Sequence, residues 1–243
     1  MITEFIDRID STNAELLRRG NEGQMDDCCL VSFEQTAGRG RRGRTFESPR
    51  NSGIYMSMLL HPGCNVEKAS LLTTMMAVAA CEALEGYDTG VIDIKWVNDL
   101  YLNNRKVAGI LTECSPQIEN GIPAYVVVGI GVNIYPPEKG FSSEIKDRAG
   151  WLFESSDSVK INEVLRNMAI SIRKRFEGYY ERFPSITWLT EYRKRSFLIG
   201  RRVKASDGTE LTVTGIDDDF GLLGVSLTGL ECKYTTGEVS LQL

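Results

Sequence analysis

The sequence predicts an α+β protein, with a mixed β-sheet domain over residues 1–197 and a small antiparallel SH3-like β-barrel over residues 198–243. Three observations predict it. Apolar runs of strand length recur at 28–33, 53–60, 91–96, 106–113 and 124–133, with helical spacing confined to a few segments around them. Past Gly200 the texture changes to short strands divided by turn signals at Asp207-Gly208, Phe220-Gly221, Gly229 and Gly237, the spacing of a small barrel. A chain of 243 residues with 42% hydrophobic content can form one large domain, or a domain and a small module, around a real core.

The first element is a short helix over 12–20, with Thr12 as N-cap, Glu15 completing a capping box and Gly20 ending it. The strand 28–33 delivers the chain into a loop rich in glycine and arginine, and the strand 53–60 leaves it. Asn65 caps a helix over 66–85 closed by Gly86; its centre, 71–80, is apolar nearly all round and is expected to be buried, its methionines as core. The strand 91–96 alternates. Turns at Asn98-Asp99 and Asn103-Asn104 bracket a short strand at 100–102, which pairs with 106–113 and brings Asp99 and Lys106 into reach of one site. The run 124–133 is the most apolar, and Gly129 and Gly131 clear one face for a close approach by backbone or ligand. It lacks the full G-x-G-x-x-G pattern, which gives a dinucleotide fold little support. A polar loop at 135–157 precedes an amphipathic helix marked by Ile161, Val164, Leu165, Met168, Ile172 and Phe176, and a short helix over 185–195 follows Pro184.

Composition narrows the chemistry. Acids outnumber bases 33 to 28, a net charge of -5, so the protein as a whole repels nucleic acid and anionic membrane, and an anionic ligand must meet a local positive site. The N-terminus lacks a signal peptide and no segment is long and apolar enough to span a bilayer, so the expected location is cytoplasmic. Six cysteines show no C-x-x-C spacing and read as reduced thiols. His61 is the only histidine and stands before Pro62-Gly63, which argues against a Cys/His zinc site and against histidine-based catalysis. The chemistry is left to Arg, Lys, Asp and a metal-bound nucleotide.

Residues 35–44 carry four arginines, Arg39, Arg41, Arg42 and Arg44, among Gly38, Gly40 and Gly43. Glycines let successive N–H groups face one concavity, and guanidinium suits carboxylate and phosphate oxygens, so the segment is either an anion-binding loop or a solvated basic one. Ser11, Thr12 and Asn13 open a helix where one cap suffices, which leaves groups free for a ligand. Asp99 is a turn cap or a site acid, and Lys106 is an exposed strand lysine or a site cation.

Taken in order, Ser11-Thr12-Asn13, residues 35–44, Lys95-Trp96-Val97-Asn98-Asp99-Leu100, residues 106–113 and Gly129-Ile130-Gly131-Val132-Asn133 resemble the motif set of the biotin protein ligases, over essentially the whole chain. The resemblance implies a mixed sheet of the biotin/lipoate ligase, class II synthetase-like type. It implies synthesis of biotinyl-5′-AMP from biotin and MgATP with release of pyrophosphate, then transfer of biotin to one lysine of a biotin carboxyl carrier protein domain. Ser11, Thr12, Asn13 and Gln35 fall on biotin-binding positions, with Arg39, Gly40, Arg41 and Lys106 completing that set. Lys106 falls on the family's essential lysine, Arg39 and Arg41 on loop arginines that neutralise phosphate, and Asp99 on a residue that orients or deprotonates the incoming lysine amine or assists Mg2+; no metal ligand is assigned. Gly38, Arg39, Arg41, Arg44, Asn98, Asn133 and Trp151 fall to the ATP or adenylate, Trp151 as a stacking or a buried structural ring. The chain departs from the family at Val97, where proline is more usual, and at Phe46, where tryptophan is.

Some members of the family carry a DNA-binding domain before these motifs, which here begin at Ser11, so no specific DNA binding is expected, nor membrane binding. Whether the chain forms a homodimer is left open. A lipoate or octanoate protein ligase shares much of this logic, and an RNA-binding module would use the arginines as an RGG-like contact; the arginine loop and the barrel favour biotin, and the acidic balance disfavours RNA.

Overall fold

A computed structural model describes residues 1–154 and 160–241; the end of the expected loop at 135–157 falls outside the described residues. Ile2–Ile6 forms strand β1, Cys28–Ser32 β2 and Gly53–Leu60 β3, while Asp93–Lys95, Asp99–Leu102, Arg105–Cys114 and Val126–Asn133 form β4, β5, β6 and β9. Between the last two, Ile118–Glu119 (β7) and Ile122–Pro123 (β8) make a two-stranded hairpin. The order β1-β2-β3-β9-β6-β5-β4 builds one seven-stranded sheet, parallel at β1/β2 and antiparallel elsewhere. This is the mixed sheet that the sequence predicts.

Alternation along β3 and β9 sends the two side-chain sets to opposite faces. Met56, Met58, Val126, Val128, Ile130 and Val132 pack beneath helices α2 (Val66–Glu85) and α3 (Ile161–Tyr180) in the main core. Leu59 and Val127 face the other way, onto α1 (Thr12–Asn21), through Leu16, Leu30 and Tyr125. Gly129 and Gly131 continue that second row of β9, and on β3 Ser57 stands in the row of Leu59. The α1 face is therefore apolar at one end and nearly free of side-chain bulk at the other. A site forms where the bulk stops.

The cap of α1 is Ser11, whose hydroxyl accepts from Ala14 N at 3.4 Å; Thr12, expected as the cap, is the first helical residue instead. Local sequence cannot decide between adjacent hydroxyls, whereas the extended backbone of Ser11 does. Asn65 caps α2 as expected, accepting from Lys68 N at 3.0 Å. Helix α4 is confined to Leu189–Arg195, shorter than the expected 185–195, because residues 185–188 form a turn after Pro184.

The C-terminal strands are Arg202–Ala205, Glu210–Ile216, Leu222–Ser226, Glu231–Tyr234 and Val239–Leu241, β10 to β14. They form a separate antiparallel sheet in the order β13-β12-β11-β10-β14, the SH3-like module. It is docked, not tethered: Trp96 Nε1 donates to Phe220 O at 2.8 Å, Phe220 stacks on Trp188, and Arg193 Nε donates to Ile216 O at 2.8 Å. Trp188 is fully buried and donates to Thr74 Oγ1 at 3.0 Å, so the junction is a continuation of the main core.

Candidate active site

The polar residues at the head of α1 converge on one buried cluster. Gln35 Oε1 accepts from Thr12 N at 2.8 Å and from Thr12 Oγ1 at 3.2 Å; Ser57 Oγ lies 2.7 Å from Thr12 Oγ1 and donates to Asn13 Oδ1 at 2.6 Å. Asn13 Nδ2 donates to Leu111 O at 3.2 Å and Glu113 Oε2 at 3.0 Å. Ser11, Thr12, Asn13 and Ser57 are all buried. Buried hydroxyls and amides without water are costly unless paired, so this network fixes each group for one purpose. Ser11, Thr12, Asn13 and Gln35, together with Arg39, Phe46, Met56, Gly109, Leu111, Gly129, Ile130 and Gly131, line a small cavity of about 20 Å³.

The glycines keep that cavity open. A Cβ on Gly129 would collide with Asn13 Oδ1, and one on Gly131 would come within 2.5 Å of the Phe46 ring. Their requirement is space against the facing elements, as the sequence suggests.

Residues 38–46 form a tight hairpin. Phe46 N donates to Gly38 O at 3.0 Å, Gly40 N to Arg44 O at 2.7 Å and Arg44 N to Arg41 O at 3.2 Å, with Arg42 and Gly43 in the left-handed region at φ 55 and 73. The arginines fan out from it. Arg39 Nη2 pairs with Glu113 Oε1 at 2.8 Å, Arg41 Nη1 donates to Asn98 Oδ1 at 2.9 Å, and Arg44 Nη2 pairs with Glu238 Oε2 of the C-terminal module at 2.8 Å. A wider cavity of about 310 Å³ lies along this hairpin, lined by Gly38, Arg39, Gly40, Arg44, Leu111 and Glu113 among others.

Lys106 and Asp99 meet as expected, Nζ to Oδ1 at 2.7 Å. The contact is ionic in character: Oδ1 is buried and has no partner in hydrogen-bonding geometry. Lys95 stands nearby on β4, its ammonium 5.7 Å above the Tyr101 ring; burial, with Lys106 as a like charge, depresses its pKa, and Asp99 opposes the shift. Asn98 is held by β6 on both sides, its Nδ2 donating to Ile110 O and its backbone O accepting from Ile110 N, each at 2.9 Å.

Asn133 and Trp151 are set apart from the polar cavity. Asn133 Nδ2 donates to Gly150 O at 3.0 Å, and Trp151, partly exposed, tilts against Phe141 with centroids 6.3 Å apart. The segment carrying them is laced to the lysine: Lys106 N donates to Arg148 O and Gly150 N to Lys106 O, both at 2.8 Å. Sequence reading did not find Ser57 or Glu238, placed Glu113 at the end of a motif without a role, and noted Phe46 only as a departure. Their partners lie far away in the chain, so no local pattern announces them.

Among the described residues no group of three or more His, Cys, Asp or Glu side chains could hold a metal ion. A Mg2+ ion carried in on nucleotide phosphates would find Asp99 as the carboxylate at hand. Burial raises the thiol pKa values of Cys28, Cys64 and Cys114, and takes Cys29 to about 12, the opposite of an activated nucleophile.

The site thus brings together a pocket of hydroxyls and amides, a hairpin of arginines and a strand lysine beside an aspartate. The chain belongs to the biotin/lipoate A/B protein ligase family, whose model matches residues 5–133. Its similarity extends well past that region. It is 31% identical to a bifunctional ligase/repressor of Bacillus subtilis over 234 residues, 95% of this chain and 71% of the relative. It is 28% identical to a biotin–[acetyl-CoA-carboxylase] ligase of Mycobacterium tuberculosis, across 94% of this chain and 85% of that one. Among solved structures it resembles the biotin protein ligase of Aquifex aeolicus in complex with biotin and ATP, with a TM-score of 0.76 at 28% identity, covering 99% of this chain and 98% of the other.

Proposed function

We propose that this chain is a biotin protein ligase: it activates biotin with MgATP and transfers the biotinyl group to one lysine of a biotin carboxyl carrier protein domain of a carboxylase. Residues 1–197 are the catalytic biotin- and ATP-binding domain and 198–243 the SH3-like C-terminal domain. The observation that carries the reading is the path of Lys106. Its stem lies over Gly109, 3.2 Å from where a Cβ would stand, and Gly109 also lines the polar cavity. A carboxylate at the Gly109 side of that cavity comes beside the ammonium.

In the first step a biotin carboxylate oxygen bonds to the α-phosphorus of ATP and the bond to the bridging oxygen breaks, releasing pyrophosphate. Two anions are pressed together, and Lys106, Arg39 and Arg41 counter the charge that gathers on the phosphoryl oxygens. Ser11, Thr12, Asn13 and Gln35 hold the ureido ring, which needs donors and an acceptor together. Arg44, Gly38, Asn98, Asn133 and Trp151 border the adenylate. The hairpin, closed over the mixed anhydride, keeps water from it. In the second step the acceptor's neutral amine attacks the acyl carbon, AMP leaves and an amide forms; Asp99 takes or orients the amine proton.

Paired with Glu113, Asn98 and Glu238, the loop arginines form a braced hairpin, unlike the open basic surface an RNA-binding module would present. Pyrophosphate release separates the acyl substrates. Release with biotin and none with lipoate or octanoate is expected; the reverse preference would reassign the substrate.

A further inference from the structure

The Arg39–Glu113 pair stands between the two cavities. Arg39 lines both, Glu113 lines the wider one, and Leu111 between them on β6 lines both. The two carboxylate oxygens of Glu113 are divided: Oε2 accepts from Asn13 Nδ2 inside the polar cluster at 3.0 Å, while Oε1 holds Arg39 Nη2 at 2.8 Å. One side chain thus ties a cavity-lining amide to a loop arginine, both far away from it in the chain. The smaller cavity, about 20 Å³, is far below the few hundred Å³ typical of a small-molecule site, so a bicyclic ligand enters only if a wall yields. The other walls are sheet backbone, the buried head of α1, buried Met56 and the half-buried Phe46 ring packed over Gly131. Arg39, exposed and held by one ion pair at the hairpin, is the wall that can move.

We propose that Glu113 is a positioning residue of this site: it latches Arg39 across the mouth of the biotin pocket and thereby sets how long biotin and its adenylate are retained. The inference rests on the biotin reading above. Glu113 touches neither reacting atom; it acts through Arg39 on one side and Asn13 on the other. Glutamine at this position keeps an acceptor for Asn13 and loses the charge that holds Arg39, so Glu113→Gln isolates the latch.

The test is a double-mutant cycle over wild type, Glu113→Gln, Arg39→Gln and the double variant. It reads the biotin dissociation rate without nucleotide and the leakage of biotinyl-5′-AMP in single turnover, with thermal melting as the fold control. Formation of the adenylate by wild type tests the functional reading separately. Glu113→Gln should speed biotin dissociation about three- to fivefold, as suits a partly exposed ion pair, with little change in the association rate or melting temperature. The double variant should be no worse than Arg39→Gln. Dissociation unchanged in Glu113→Gln, or additive effects in the double variant, would overturn the latch; so would a fall in melting temperature that accounts for the loss.

Discussion

Lys106 Nζ reaches Asp99 Oδ1 at 2.7 Å although the two are not cross-strand partners: Lys106 stands opposite Tyr101, and Asp99 opposite Gly109. The lysine stem must run along its own strand across Gly109 to close the distance, and the missing side chain there leaves it room. The pair sits where β5, β6 and the segment at 148–150 come together, so the ammonium is aimed by three backbones. A group fixed before the reaction stabilises developing charge without reorganisation.

Lys106→Met should therefore lower the rate of adenylate formation by roughly 10²- to 10³-fold, as loss of a single preorganised charge donor does. Lys106→Arg should not restore it, because a planar fork cannot follow the lysine's path over Gly109. Biotin-dependent pyrophosphate release measures both.

The Arg41 side chain is partly exposed and donates to Asn98 Oδ1. Arg41→Gly should leave melting within about 0.5 kcal/mol of wild type, yet release biotinyl-5′-AMP into water or onto bystander lysines. Mass spectrometry of the adenylate in the filtrate checks it, and undiminished retention would show that the hairpin does not hold the intermediate.

Gly129→Ala places a methyl against Asn13 Oδ1, deep in the buried network. Overpacking there should cost about 1–3 kcal/mol of stability, and displacing Asn13 should weaken biotin binding more than ATP binding. Calorimetric titration with each substrate distinguishes the two.

Much of this was legible from residue patterns. Apolar runs gave the strands of the central sheet, Asn65 the start of α2, and the turns around Asn98 and Asn103 the approach of Asp99 to Lys106. What was not legible has a common cause. Strand β1 is only five residues with two polar ones among them, too short to alternate clearly. Ser57, Glu113 and Glu238 matter through partners brought beside them by sheet register or by docking of the C-terminal module. Phe46 packs on Gly131 across the sheet face, which no spacing rule reports.

The pH dependence of stability has an identifiable contributor away from the site. Burial alone would raise the pKa of Glu85, but hydrogen bonds from Arg195 and Ile92 N outweigh it and hold the carboxyl below its ordinary 4.5. A carboxylate with a depressed folded-state pKa stabilises fully above the unfolded value and loses that contribution as pH falls through the folded one. The melting-temperature gap between wild type and Glu85→Gln should therefore hold above about pH 4.5 and shrink below it. A gap independent of pH would contradict the ion pair's role.

The central claim, that this site joins biotin to a carrier lysine, is tested most directly by intact-mass spectrometry of a biotin carboxyl carrier domain incubated with the protein, biotin and MgATP. A single biotinyl addition on one lysine, absent without ATP and absent with Lys106→Met, is the predicted result. An unmodified carrier under conditions where the protein is folded would contradict it.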